Sequence, residues 1–151
     1  MTKQPETPLD ARPEARAAAA ERELCGLVNG LAQRITEHVR ERAVTLGLTA
    51  AQATALREMT GPMTMRELAE RMSCEPSNAT FVIDKLEKQG LVERRAHPTD
   101  RRAKHLVLTP EGEALRERLL ALLVQDSPLA GLTAEQQGVL QSLLEQAVTR
   151  S

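Results

Sequence analysis

The stretch MRELAERMSCEPSNATFVIDKLEKQG, residues 65–90, carries the reading of this chain. Thr64 precedes it with Glu67 three residues on, a pairing in which hydroxyl and carboxylate satisfy the free amide hydrogens of a helix start. The helix so opened, MRELAERM, is only about two turns long. After Ser-Cys-Glu comes Pro76, which suits the first turn of a new helix because its missing amide hydrogen has no partner there anyway. That second helix runs to about Gln89 and is closed by Gly90. Ala79, Val82, Ile83 and Leu86 recur at helical spacing as its apolar face. Ser77, Asn78, Thr80, Phe81, Asp84, Lys85 and Lys88 are left outside. A short helix, a tight turn and a second helix with a free polar face form a helix-turn-helix, whose second helix can enter the DNA major groove.

Downstream, LVERR (91–95) and KHLVL (104–108) are short and rich in Val and Leu, and HPTDRRA between them holds turn residues. Two antiparallel strands with an exposed loop are predicted, completing a winged helix. The net charge is −1, yet from Leu91 to His105 five basic residues (Arg94, Arg95, Arg101, Arg102, Lys104) face two acids, Glu93 and Asp100. The local field decides what binds. At a hairpin tip this cluster would reach phosphates and the neighbouring minor groove. Arg101 and Arg102 should supply affinity, while Ser77, Asn78 and Thr80 have side chains suited to base edges and phosphates alike.

The flanks read as helices. Thr49 with Gln52 and Thr133 with Gln136 repeat the start signal; the first of these helices ends near Met59 before Gly61-Pro62. Thr109-Pro110 opens another, with Leu115, Leu119, Leu122 and Leu123 in a stripe up to SPLAG. The last helix carries Val139, Leu140, Leu143, Leu144 and Val148 on one side. At the other end a long helix from about Glu14 to Arg42 carries Leu24, Leu27, Val28, Leu31, Ile35 and Val39, and Gly47 ends it. Residues 1–13, with Pro5, Pro8 and Pro13, read as a flexible tail. The terminal stripes exceed what one small winged helix can cover, so a homodimer is expected.

A length of 151 residues with 41% hydrophobic and 27% charged residues suits one globular unit. With no Trp, no Tyr and one Phe, the core must be aliphatic, which favours packed helices. No apolar run approaches the ~18 residues of a membrane span, and the first residues lack the apolar centre of a signal peptide; a cytoplasmic protein without membrane contact is expected. Cys25 and Cys74 stand apart without metal-ligand spacing, so no disulfide, metal or cofactor is expected. His38, His97 and His105 occur without a nucleophile elbow, metalloprotease or phosphate-loop pattern, and no enzyme activity is expected.

Taken together, LTAAQATALREM, the helix-turn-helix stretch through VERR, DRRAKHLVLTPEG and SPLAGLTAEQQ resemble the MarR family of bacterial transcriptional regulators over most of the chain. The resemblance implies a mostly helical α+β fold: a helix-turn-helix with a two-stranded wing, about 49–109, plus dimerisation helices, about 14–46 and 110–151. It implies a homodimer on double-stranded DNA, each winged helix reading half of a palindrome, and release from DNA by a small-molecule or oxidant signal; a repressor released by a small-molecule effector is expected. By motif, Ser77, Asn78, Thr80 and Phe81 fall on the exposed part of the recognition helix, with Lys85 further along it. Arg95, Asp100, Arg101, Arg102 and Lys104 belong to the wing, where Asp100 would orient an arginine by ion pairing.

Three residues, Phe81, Cys25 and His38, carry competing readings. Phe81 departs from the Gly or Arg more often expected there; it is either partly buried against the preceding helix or touches a thymine methyl or sugar. Cys25 resembles the reactive cysteine of the peroxide-sensing branch, the alternative function being a redox-sensing regulator, but that branch surrounds its thiolate with tyrosines and this chain has none. Cys74 reads as a small buried apolar residue. His38, beside the apolar face of the first helix, is an ordinary surface histidine or an effector contact.

Overall fold

The computed structural model describes residues 12–149. The expected tail, 1–13, lies outside the described residues except for Arg12 and Pro13. Six helices and two strands follow in order: α1 Pro13–Thr45, α2 Ala50–Glu58, α3 Met65–Met72, α4 Pro76–Lys88, β1 Val92–Ala96, β2 Lys104–Leu108, α5 Pro110–Leu123 and α6 Ala134–Thr149. The chain divides into two compact units between Ile35 and Thr36. In the first, α1 carries Leu24, Leu27 and Val28 in exposed positions. The second holds the end of α1 and all other elements. α1 runs past Arg42 to Thr45, and Gly47 turns the chain away with φ of 71°, a left-handed conformation that glycine adopts without a Cβ penalty.

Local chemistry sets the helix starts. Thr49 Oγ1 accepts from the Gln52 amide at 3.1 Å while Gln52 Oε1 accepts from the Thr49 amide at 3.0 Å, and Thr133 and Gln136 repeat both bonds. At α3 only half of the expected box forms: Thr64 Oγ1 accepts from the Glu67 amide at 3.2 Å, and the exposed Glu67 carboxylate stays in water, where it loses no solvation. Ser73 closes α3 in the left-handed region (φ 53°), which makes the turn to Pro76 tight. α4 starts without a side-chain cap, as a helix can when proline occupies its first turn.

The core lies where α2, α3 and α4 meet the hairpin. Leu56, Leu68, Ile83, Leu86, Val92 and Leu106 have at most 1% of their surface exposed. The strands pair antiparallel with Val92 opposite Leu108 and Ala96 opposite Lys104. β1 therefore starts one residue later than predicted and includes Ala96. A further bridge joins Met63 to Leu106, whose amides each donate to the other's carbonyl at 3.2 and 2.7 Å. Leu119 of α5 is fully buried in this core, so the stripe at 115–123 is partly consumed within the chain, and Val39 at 3% exposure is likewise taken up.

Thr109 seats α5 beside the end of α4. Its amide donates to Leu91 O (3.1 Å), its hydroxyl donates to Gly90 O (2.6 Å), and the same oxygen accepts from the Gly112 amide (3.0 Å). Arg116 adds a second tie, donating to Leu56 O and Arg57 O at 2.9 Å each, which satisfies carbonyls at the open end of α2.

Candidate nucleic-acid interface

α4 buries Ala79, Val82, Ile83 and Leu86 and leaves a polar face in water, as its period requires. Ser77 and Asn78 are exposed, and the Asn78 amide side chain has no hydrogen-bond partner among the described residues. Thr80 differs from expectation: it is half-buried, and its hydroxyl donates to Pro76 O at 2.9 Å, so only its lone pairs remain for a ligand. Phe81 is 61% exposed, so most of its side chain stands in water. Its only described ring partner is Lys85, whose Nζ stands 4.4 Å from the ring centroid. The acids of this helix are drawn off by Arg94, which pairs with Asp84 and approaches Glu87 at 3.8 Å. Sequence reasoning counted Arg94 only as one charge in the basic cluster; its position opposite Leu106 in the hairpin points it back toward α4, a contact that spacing does not reveal.

The wing is closed by its own polar groups. His97 Nδ1 accepts from the amides of Thr99 (3.2 Å) and Asp100 (3.0 Å), so its ring proton, when neutral, is on Nε2. The Ala103 amide donates to Asp100 O at 3.2 Å. The expected ion pair of Asp100 does not form among the described residues; Asp100 Oδ1 instead accepts the Arg102 backbone amide at 3.0 Å. A short carboxylate two residues away reaches that amide more readily than it reaches a long, solvated guanidinium. The acid thus shapes the turn from which Arg101 and Arg102 project, both exposed. Lys104 is exposed at the start of β2, whereas Arg95 is held by Glu93 at 3.0 Å and contributes less free charge than its neighbours.

Other candidates lie elsewhere. His38 is half-buried, and its Nε2 is 2.8 Å from Leu123 O, so it ties α1 to the end of α5 and is not a free surface histidine. Cys25 is exposed on α1; Cys74 is half-buried, not fully buried as predicted, because it sits in the exposed turn after α3. A crevice of about 370 Å³ opens between α5, the hairpin and the turn after α2, lined by Met59, Pro62, Val107, Arg95, Glu113 and Arg116.

A model of the MarR family matches residues 48–104, the segment from the start of α2 to the start of β2. The uncharacterized HTH-type transcriptional regulator YwoH of Bacillus subtilis is 33% identical over 100 residues, 65% of this chain and 72% of that protein. The HTH-type transcriptional repressor MdtR of the same organism is 35% identical over 96 residues, 62% of each chain. Among solved structures, a mutant MarR from E. coli complexed with operator DNA superimposes with a TM-score of 0.67 at 29% identity, covering 83% of this chain and 93% of that one. The chain belongs to the MarR family. It spans about six tenths of the length of the first curated relatives it matches.

Relatives it matches are named transcriptional regulators and repressors, and the six helices and two-stranded sheet among the described residues are the winged-helix fold of that family. Among the described residues no helix is long and apolar enough to cross a membrane.

Proposed function

We propose that the chain is a sequence-specific DNA-binding repressor, acting as a homodimer on a palindromic operator and released by a small-molecule ligand. One observation carries this: the solvent face of α4, with the free Asn78 amide, is followed at once by a hairpin tip holding Arg101, Arg102 and Lys104 exposed. Ser77, Asn78, Thr80, Phe81 and Lys85 would meet the major groove; Arg95, Arg101, Arg102 and Lys104 would meet phosphates and the adjoining minor groove, on a turn shaped by Asp100. That MarR from E. coli was solved with operator DNA supports the reading. The relative MdtR is named a repressor, which supports that sense of regulation.

The terminal helices, about 14–46 and 110–151, would form the dimer. On α1 Leu24 and Leu27 are exposed at 61% and 71%, and on α6 Val139, Leu143 and Val148 stand equally bare, faces a soluble chain covers with a partner. Two-fold symmetry sets half-site centres about one helical turn, ~10 base pairs, apart. Purified protein should therefore retain a palindromic sequence from genomic fragments and sediment on it as two chains per site. A stable monomer at micromolar concentration that retains no sequence over scrambled DNA would overturn the proposal.

The crevice against α5 is the proposed effector site, since junctions of this kind favour small molecules. Its lining mixes Met59, Pro62 and Val107 with Arg95 and Arg116 and with the carboxylates of Glu113 and Glu117. The ligand class proposed for it is a hydrophobic or weakly acidic compound, an acid group being set toward Arg95 or Arg116 and away from the two glutamates. A panel of phenolic and aromatic acids should contain members that raise thermal stability and weaken operator binding; a panel leaving both unchanged refutes the choice of ligand class.

A further inference from the structure

We propose that Phe81 reads the C5-methyl group of a thymine in the operator, with Lys85 holding its ring in position. The inference rests on the DNA-binding reading and adds to it the chemical group recognised.

Phe81 is the only phenylalanine in the chain, and the sequence has no Trp and no Tyr. A fold this short of large apolar side chains has left its single phenyl ring 61% in water, while smaller Ala79, Val82 and Ile83 fill the buried face of the same helix. An exposed ring gains by being covered. What covers it is set by its neighbours. Ser77 is one turn before it and Lys85 one turn after, with Asn78 three residues back, all exposed on the same side of α4. A protein partner with an ordinary apolar patch would meet one ring surrounded by a hydroxyl, an amide and an ammonium. A polyanion offering one alkyl group among hydrogen-bonding edges matches the set, and in the major groove that alkyl group is the thymine methyl.

The charges agree. Asp84, the acid within this stretch, is paired with Arg94, so the ring is not flanked by a free carboxylate that would repel phosphate. Lys85 Nζ, 4.4 Å from the ring centroid, covers one face of the ring by a cation–π contact. That contact restricts the phenyl before DNA arrives and leaves the rest of its surface for the methyl group. Lys85 is thus a positioning residue and Phe81 the reading one.

The test uses the full chain and the operator it selects. Each thymine is replaced singly by deoxyuridine, which keeps every hydrogen-bonding group and removes only the methyl. Wild type should lose about fourfold in affinity at one thymine per half-site, the factor that burial of one methyl group (~0.8 kcal/mol) corresponds to. Phe81→Ala should bind both bases there equally, and Lys85→Gln should shrink the ratio without removing it. Placing cytosine and then 5-methylcytosine at the same position distinguishes the two sources of the methyl: a gain on methylation equal to the thymine effect supports methyl reading, whereas a response to 5-methylcytosine with none to thymine overturns the thymine assignment. Equal binding of thymine and deoxyuridine at every position by wild type, or an unchanged ratio in Phe81→Ala, also overturns it. Failure of the DNA reading itself appears earlier, as a wild-type protein that selects no sequence, and it overturns both.

Discussion

Replacing Gly112 with alanine is expected to destabilise the chain by about 3 kcal/mol, the upper part of the range for overpacking, because the obstacle is backbone and cannot rotate away. Gly112 is buried in the first turn of α5, and a Cβ there would fall inside the van der Waals envelope of Leu91 O, 3.0 Å from Leu91 C and 3.4 Å from Leu108 Cδ2. Leu91 O also accepts the Thr109 amide, while Gly112 donates to Thr109 Oγ1, so relieving the clash pulls on both bonds that seat α5. For a chain of this size the loss corresponds to a melting temperature lower by roughly 6–12 °C. The same change at Gly138 provides the contrast. Nothing lies within 4 Å of a Cβ there, on the side of α6 away from Leu140 and Leu144, and alanine should be neutral or stabilise the helix by up to ~1 kcal/mol. Denaturant midpoints of the two variants should therefore move in opposite directions or differ by most of that 3 kcal/mol. A Gly112→Ala protein unfolding at the wild-type midpoint would show that α5 is not locked to the hairpin in this way.

Arg102→Ala is expected to weaken binding to operator and scrambled DNA alike. The side chain projects from a turn fixed by the bond from its own backbone amide to Asp100, and removing it beyond Cβ leaves that bond intact. Each phosphate neutralisation lost lowers the slope of log K against log salt by ~0.9, so a dimer loses about 2 in slope, roughly 50- to 100-fold in affinity at 0.1 M relative to 1 M salt. Asn78→Ala should behave differently. A bidentate amide contact to a base discriminates by about 1–3 kcal/mol, so its loss should relax the choice at one position per half-site and leave the salt slope in place. Isotherms at several salt concentrations, on operator, single-base variants and scrambled DNA, separate the two. Unchanged affinity and slope for Arg102→Ala would reduce the basic cluster to a solvated turn.

The sequence alone determined the order and kind of the elements, because their signals are local. The spacing of Ala79, Val82, Ile83 and Leu86, Pro76 in the first turn, the Thr caps and the Val/Leu runs about HPTDRRA each act within a few residues, and the helices and strands formed where those signals lie. The exposed faces of α4 and the wing were legible for the same reason. Only the tertiary structure decided where side chains with long reach went. Arg94 turns to Asp84 and Glu87, Arg116 to the carbonyls of Leu56 and Arg57, and His38 to Leu123, partners 7 to 85 residues distant. Leu119 entered the core while Leu24 stayed outside, although both belong to equally periodic stripes. Periodicity names the face of a helix, but what covers that face depends on neighbours remote in sequence. Gly112 is the sharpest case: a glycine near the start of a helix looks replaceable from its sequence surroundings, and the close approach of Leu91 O makes the missing Cβ a requirement.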